Sequence, residues 1–334
     1  MTRFWRVWAV LFWCVLGRAE PVWADAAPLE APAPKACSFD AGEGAPGLSR
    51  RDAFAAGEVV LTFDDGPQPS ATKRLLDQLD HHGLKATFFV VGLWVREDTY
   101  QLIQRMASSG HEIGTHTYGH DLRLTRRGWG VDYIEGQYEL TRVLVELALL
   151  AGSRDEFRAL YRRVLERKPG AILSPSQVRA RWRAIQRNHF ELLAERGFDQ
   201  EQRVYPMRFA RPPGGIPYEG HWPVRKMREE HEQALGNLGL LNVLWHGVSG
   251  DTVLGRLDDS EFLLANVRYH TRRGGILLMH DRMRADAMAD VLERIASDPK
   301  LRVVTLESAA AAKYGCSARE LYAGLRASAA VAAR

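Results

Sequence analysis

Short apolar runs that stop abruptly at polar residues recur along this chain, separated by stretches of helical periodicity. Val59–Phe63 is β-branched and aromatic and ends at Asp64-Asp65-Gly66-Pro67, the pattern of a strand followed by a turn. Ser70 suits the start of a helix running to about His82, which Gly83 ends. Ala86–Gly92 reads as a second buried strand. A helix from about Asp98 to Ser108 stops at Gly110, and Glu112–Thr115 is a third strand running into His116. Further strands fit at 204–210, 241–246, 275–279 and 302–306. Strands alternating with helices of this length predict a parallel sheet, and about seven of them favour a (β/α) barrel over a small doubly wound sheet. Polar residues capable of chemistry fall just after the strand ends, at 64–65, 116–120, 211, 251 and 280. That carboxyl edge is where such folds assemble their sites.

The span from His120 to Arg211 breaks the alternation and reads as almost wholly helical. Ser153 with Glu156, and Ser174-Pro175 with Gln177, have the spacing of capping boxes that open helices. Val178, Trp182, Ile185, His189 and Leu192 fall near one face of the second of these helices. The first residues read differently again. Arg3 and Arg6 precede an apolar run, Val7–Leu16, too short to span a bilayer, with a small-residue cleavage pattern at Val22-Trp23-Ala24. Residues 1–24 are therefore expected to be an export signal, with an uncleaved anchor as the competing reading. The Ala- and Pro-rich stretch that follows, 25–54, reads as a linker.

Composition is that of an ordinary globular chain, and the formal charge of +4 falls to +2 once 1–24 are removed (three Arg and one Glu lost). No aromatic-basic motif points to nucleic acid. Cys37 and Cys316 remain near the two ends of the mature chain, and in an oxidising compartment they are expected to pair. The expected location is periplasmic or secreted, with no stable membrane span after signal cleavage.

Four segments carry candidate chemistry. In Thr62-Phe63-Asp64-Asp65-Gly66-Pro67, adjacent carboxylates at a strand end point apart, so one can bind a metal while the other acts as a base. In His116-Thr117-Tyr118-Gly119-His120, two imidazoles four residues apart can share one metal, and His-His-carboxylate is a common catalytic zinc set. Arg211-Pro212-Pro213-Gly214-Gly215 can fix an arginine and offer a backbone N–H to an oxyanion. Leu277-Leu278-Met279-His280-Asp281 delivers a histidine at a strand end. Taken singly, each also fits a plain turn, loop or buried histidine.

Taken together, in this order, they resemble the polysaccharide deacetylases of carbohydrate esterase family four, over roughly residues 55–310. The resemblance implies a deformed (β/α)7 barrel, with about 150–200 as an inserted helical segment, 55–315 as the catalytic domain and 316–334 as a tail. It implies a divalent metal, usually Zn2+ with Co2+ as an alternative, held by Asp65, His116 and His120. Asp64 would be the general base, Arg211 would orient it, and Asp251 would pair with His280, the acid. Leu278 would line the acetyl pocket, and the Gly214 N–H would stabilise the oxyanion. The implied substrate is an acetylated carbohydrate: peptidoglycan, a chitin-like polymer or an exopolysaccharide. Alternatives are a hydrolase of small amides or acylated sugars on the same barrel and a glycan-binding pseudoenzyme.

This chain departs from the family pattern in its fourth motif. In Val248-Ser249-Gly250-Asp251-Thr252, Val248 and Thr252 stand where the family has Asp and Trp. One pocket wall is then missing or supplied elsewhere, by Trp222 or Trp245. Among the remaining histidines, which read as structural, His246 is singled out because it precedes Asp251 near the expected site.

Overall fold

The strands expected from the apolar runs form one parallel sheet whose curvature follows from its own connectivity. The computed structural model describes residues 37, 47–198, 203–219, 225–253, 256, 259–282 and 285–323. The expected signal at 1–24, most of the expected linker, and Trp222 lie outside the described residues. The strands are β1 (Gly47–Leu48), β2 (Glu58–Asp64), β3 (Thr87–Val90), β4 (Glu112–Thr115), β5 (Phe209–Ala210), β6 (Leu241–Val243), β7 (Gly247–Val248), β8 (Gly275–His280) and β9 (Arg302–Val303). Their order is β1-β6-β5-β4-β3-β2-β8-β7, with β9 also pairing β2. In a flat sheet β6 and β7 would sit six strand spacings apart, about 29 Å. Four residues of chain from Val243 to Gly247 reach at most about 14 Å. The sheet therefore curls until these two strands are neighbours in space, giving an open parallel barrel.

Four expected strands are shorter than the sequence suggests, among them β3, which is Thr87–Val90 of 86–92, and β9, which is Arg302–Val303 of 302–306. Only Phe209–Ala210 of 204–210 pairs, with β4 and β6. Of the run 241–246 only β6, Leu241–Val243, is strand, and His246 stands just before β7. Its Nδ1 accepts the Ile276 N–H at 2.9 Å, and its carbonyl accepts from Arg51 at 2.6 Å. His246 thus locks β8 near its amino end, away from His280, and burial lowers its pKa to about 4. The site role considered for it is not supported.

Period-two alternation divides the side chains of each strand. Val59, Leu61 and Phe63 of β2, Phe88 and Val90 of β3, and Leu277 and Met279 of β8 join the core beneath the helices. Val60, Phe89, Phe209, Leu241, Val243 and Ile276 fill the concave interior. Thr62, Asp64, Leu278 and His280 continue that inward phase. The interior is packed tightly enough to demand glycine at 114, where a Cβ would lie 2.7 Å from the Phe89 ring.

The far end of the interior is closed by Leu48 and Ala53, by α9 (Leu306–Tyr314) through Leu306, Ala309 and Tyr314, and by Ala318, Leu321 and Tyr322. Parts of the stretches expected to be linker and tail therefore pack as core, because these apolar residues cover an otherwise open barrel floor. Cys37 and Cys316 form a disulfide there, with Cα atoms 5.1 Å apart.

The outer helices are α1 (Ala71–His81), α2 (Tyr100–Ser108), α3 (Gly130–Leu150), α4 (Arg154–Leu165), α5 (Pro175–Glu195), α6 (Arg225–Leu238), α7 (Ser260–Thr271) and α8 (Ala285–Ser297). The stretch 150–200 contains α4 and α5, and both carry the expected caps. Ser153 accepts from the Glu156 N–H, and Ser174 and Gln177 complete a reciprocal box. Val178, Trp182, Ile185, His189 and Leu192 are all buried, as their spacing predicts. Their partner is α3, which is buried from Tyr133 to Ala148 on every face. A helix with no exposed stripe is enclosed by other elements, and here α4 and α5 cover the side of α3 that the barrel does not. No described helix is long and apolar enough to cross a membrane.

Candidate functional site

The concave interior opens at the carboxyl ends of β2, β4, β5 and β8, and the polar residues of all four strand ends meet there. The inward phase of β2 brings Thr62 and then Asp64 to the rim, and the chain leaves through Asp65 in a left-handed conformation, φ 75°. His116 follows β4, with its N–H donating to the Val90 carbonyl at 2.8 Å. The loop beyond it holds Thr117 (φ 68°) and His120 (φ 49°), also left-handed. Non-glycine residues in this region carry strain and cluster where a site must be held in one shape.

Asp65, His116 and His120 converge with their ligand atoms all within 4.8 Å of one another. His120 Nε2 lies 3.2 Å and His116 Nε2 3.7 Å from Asp65 Oδ1. Ligands on a tetrahedral zinc with bonds of about 2.0–2.1 Å are about 3.3 Å apart, so this spacing suits such an ion. Asp65 Oδ1 is buried and lacks a directed hydrogen bond, leaving an acceptor in need of a cation. Burial alone would raise the Asp65 pKa, but the imidazoles of His120, His116 and His280 outweigh it and hold the carboxyl well below its usual range. Burial lowers the His116 pKa, against the opposing pull of Asp64 and Asp65. His116 Nδ1 sits 2.8 Å from the Arg211 carbonyl, which fixes the proton on Nδ1 and leaves the Nε2 lone pair facing Asp65. The donor set and the orphaned oxygen fit a divalent metal.

On one side of the triad Asp64, 2% exposed, receives Nη1 of the fully buried Arg211 at 2.7 Å. The same nitrogen donates to Thr62 Oγ1 at 2.8 Å, and Nε and Nη2 donate to the Val243 and Leu244 carbonyls at 3.1 and 3.4 Å. The guanidinium also stacks 4.1 Å from the Phe89 ring centroid. On the other side His280 donates its backbone N–H to Asp251 at 2.6 Å and places Nδ1 3.1 Å from the same carboxylate. Burial opposes the imidazolium, but Asp251, with Asp64 and Asp65, raises the His280 pKa to about 9. Among the described residues no hydrogen bond engages Nε2.

Leu278 is buried on the strand that delivers His280, in register with Thr62 and Val248. Gly214 sits in the turn Pro213–Gly215 at φ 59°, with Leu122 against it. Val248 is 38% exposed. Of the two tryptophans considered for the altered wall, Trp245 packs against Gly215, whose Cβ would lie 2.9 Å from its ring. Asp64, Asp65, His116, His120, Arg211, Asp251 and His280 are thus brought to one rim, and His246 is not.

Three contributors were given no role by the sequence. Thr62 could have been found from the period-two phase that leads to Asp64. Gln137 of α3, which accepts the Gly119 N–H at 3.0 Å, could not. Asp281 accepts from Thr72, whose Oγ1 receives the Gln68 N–H at 2.7 Å, so it buttresses the turn after Asp65 from below.

The polysaccharide deacetylase family model matches residues 52–145. The chain is 49% identical over 70 residues to a chitooligosaccharide deacetylase of Sinorhizobium fredii, covering 21% of this chain and 32% of that protein. It is 49% identical over 63 residues to a peptidoglycan-N-acetylglucosamine deacetylase of Bacillus cereus, covering 19% and 22% respectively. The chain thus spans a third or less of the length of these curated relatives. Among solved structures, the peptidoglycan deacetylase PdaC of Bacillus subtilis aligns with a TM-score of 0.48 and 22% identity, over 77% of this chain and 92% of that one. The region matched by the polysaccharide deacetylase family model contains β2, β3 and β4 with Asp64, Asp65, His116 and His120 at or just beyond their ends.

Proposed function

We propose that this protein is an exported, metal-dependent deacetylase that hydrolyses acetyl groups from an amino-sugar-containing polysaccharide such as peptidoglycan, a chitin-like polymer or an exopolysaccharide. The observation that carries the reading is the flanking of one Asp-His-His triad by two differently tuned pairs, Asp64–Arg211 and Asp251–His280. The named activities of the relatives, chitooligosaccharide and peptidoglycan deacetylation, supply the substrate class.

In this reading Asp65, His116 and His120 hold the metal, Zn2+ or Co2+. When bound, it lowers the pKa of water to about 7 and polarises the acetyl carbonyl. Arg211 holds Asp64 pointed at the rim, where Asp64 takes the proton of the attacking water. Water adds to the acetyl carbon, and the Gly214 N–H faces the developing oxyanion. The C–N bond then breaks as His280 passes its Nε2 proton to the leaving amine, giving acetate and a free amino sugar. Asp251 holds the ring in the tautomer and orientation for that transfer. Leu278 packs against the acetyl methyl, and Trp245 supplies the wall that Val248 and Thr252 do not.

The test is acetate release from N-acetylglucosamine oligomers, peptidoglycan and acetylated xylan, with and without chelation. Release that chelation abolishes and zinc or cobalt restores is expected. Undiminished release after exhaustive chelation would overturn the reading.

A further inference from the structure

We propose that the inserted helices position the second metal-ligand loop, His116–His120, through the hydroxyl of Tyr118 and the side chain of Gln137. The proposal rests on the reading of Asp65, His116 and His120 as the metal site.

The loop needs external support. Two of its five residues, Thr117 and His120, are left-handed without being glycine. Such backbone persists only where its surroundings over-determine it. Part of the support is local, since Gly92 and Leu93 donate their N–H groups to the Thr117 and Tyr118 carbonyls at 3.1 and 2.8 Å. The rest comes from the helices. Tyr118 lies between the two histidine ligands in sequence, is 1% exposed, and packs its ring against Gly92. Its hydroxyl accepts the N–H of Leu173, 55 residues away in the connection between α4 and α5. The same connection is held to α4 by Tyr161, which donates to the Ala171 carbonyl at 3.4 Å.

A second route runs through α3. Trp182 of α5 seats so closely on Gly136 that a Cβ there would lie 2.7 Å from the indole. The indole N–H donates to Asp132 at 3.1 Å. The next residue, Gln137, uses Oε1 to accept the Gly119 N–H and Nε2 to donate to Tyr133, which in turn donates to Asp121 just past His120. The α5 contact thus fixes the turn of α3 that grips the loop. A solvated decoration would need neither link. Partners that orient metal ligands from outside typically govern affinity rather than chemistry, and their loss weakens binding.

The experiment measures zinc affinity of the metal-free full chain by competition with a chromogenic chelator. Variants are Tyr118→Phe, which keeps the ring, Gln137→Met, which keeps the shape, and their combination. Ile295→Val in α8 serves as a destabilised control remote from the loop. Loss of one neutral hydrogen bond predicts a threefold to tenfold weaker Kd for each single variant, roughly the range of 0.5–1.5 kcal/mol. The combination is expected to be weaker than either, and the control unchanged. Single variants with a Kd within twofold of the parent, whatever their melting temperature, would overturn the proposal and leave the metal reading intact. A parent that binds no zinc, like Asp65→Ala, would overturn both.

Discussion

Two clusters of charge are buried in this molecule, and they are built differently. At the rim, Arg211 is fully buried, with all three guanidinium nitrogens donating and Asp64 as its single carboxylate partner. Between α3, α5 and the segment before β5, Glu139, Arg142, Glu146, His189 and Arg203 are also withdrawn from water. There Glu139 bonds both arginines, but Glu146 and His189 meet at 3.2 Å without directed hydrogen bonds, and nitrogens of Arg142 and Arg203 are also unsatisfied. Burial raises the Glu146 pKa to about 7 and lowers that of His189 to about 4. Buried charge and shifted pKa values are therefore common to both, and neither identifies a site. Orphaned carboxylate oxygens occur in both, and the rim differs in its place at the ends of four strands and its left-handed backbone. The inner cluster joins α5 to α3 and to the segment before β5.

Four measurements would break or sharpen that distinction. Asp64→Asn should reduce acetate release by about 100- to 10,000-fold while leaving the fold intact, the range for removing a general base. Parental rates on every active substrate would remove Asp64 from the chemistry. Arg203→Met should act the other way round, costing about 3–5 kcal/mol in denaturant unfolding because Glu139 keeps its charge with one partner fewer. Its kcat should stay near the parental value, and a selective loss of kcat would make the inner cluster part of the machinery. Zinc at 100 times its Kd should stabilise the parent by about 2.7 kcal/mol and leave Asp65→Ala unmoved. Equal stabilisation of both would place the metal elsewhere.

The smallest effect concerns acid. His231 of α6 lies between the hydroxyls of Tyr138 and Tyr218, at 2.7 and 3.0 Å, and burial lowers its pKa to about 3 from 6.5. The unfolded chain therefore binds this proton near pH 6.5 and the folded chain only near 3. The contribution is complete above pH 6.5 and is lost as pH falls, by about 2 kcal/mol at pH 5. His231→Gln should flatten the stability curve between pH 6.5 and 5 relative to the parent. Parallel curves would mean that His231 titrates alike in both states.

Much of this architecture was legible along the chain. Apolar runs located the strands, Ser153 and Ser174 marked the starts of α4 and α5, and the ordered motifs named the residues at the rim. These features are local: a cap, a period or a turn is written in a few consecutive residues. The misreadings share one cause. His246 looked like a site residue because it is near Asp251 in sequence, yet it binds the start of β8. The segments around 47–53 and 316–322 looked like linker and tail, yet their apolar residues close the barrel floor.

The sequence by itself determined the parallel α/β class, and its ordered motifs singled out Asp64, Asp65, His116, His120, Arg211, Asp251 and His280 as candidates, because each stands in a few consecutive residues at or just after an apolar run. The tertiary structure alone decided which neighbours hold them. That Tyr118 meets Leu173, that Gln137 reaches Gly119, and that Arg211 finds Asp64 across 147 residues depend on how a curled sheet and its helices close in space. No local pattern carries that information, because these contacts join residues whose separation in sequence has no period.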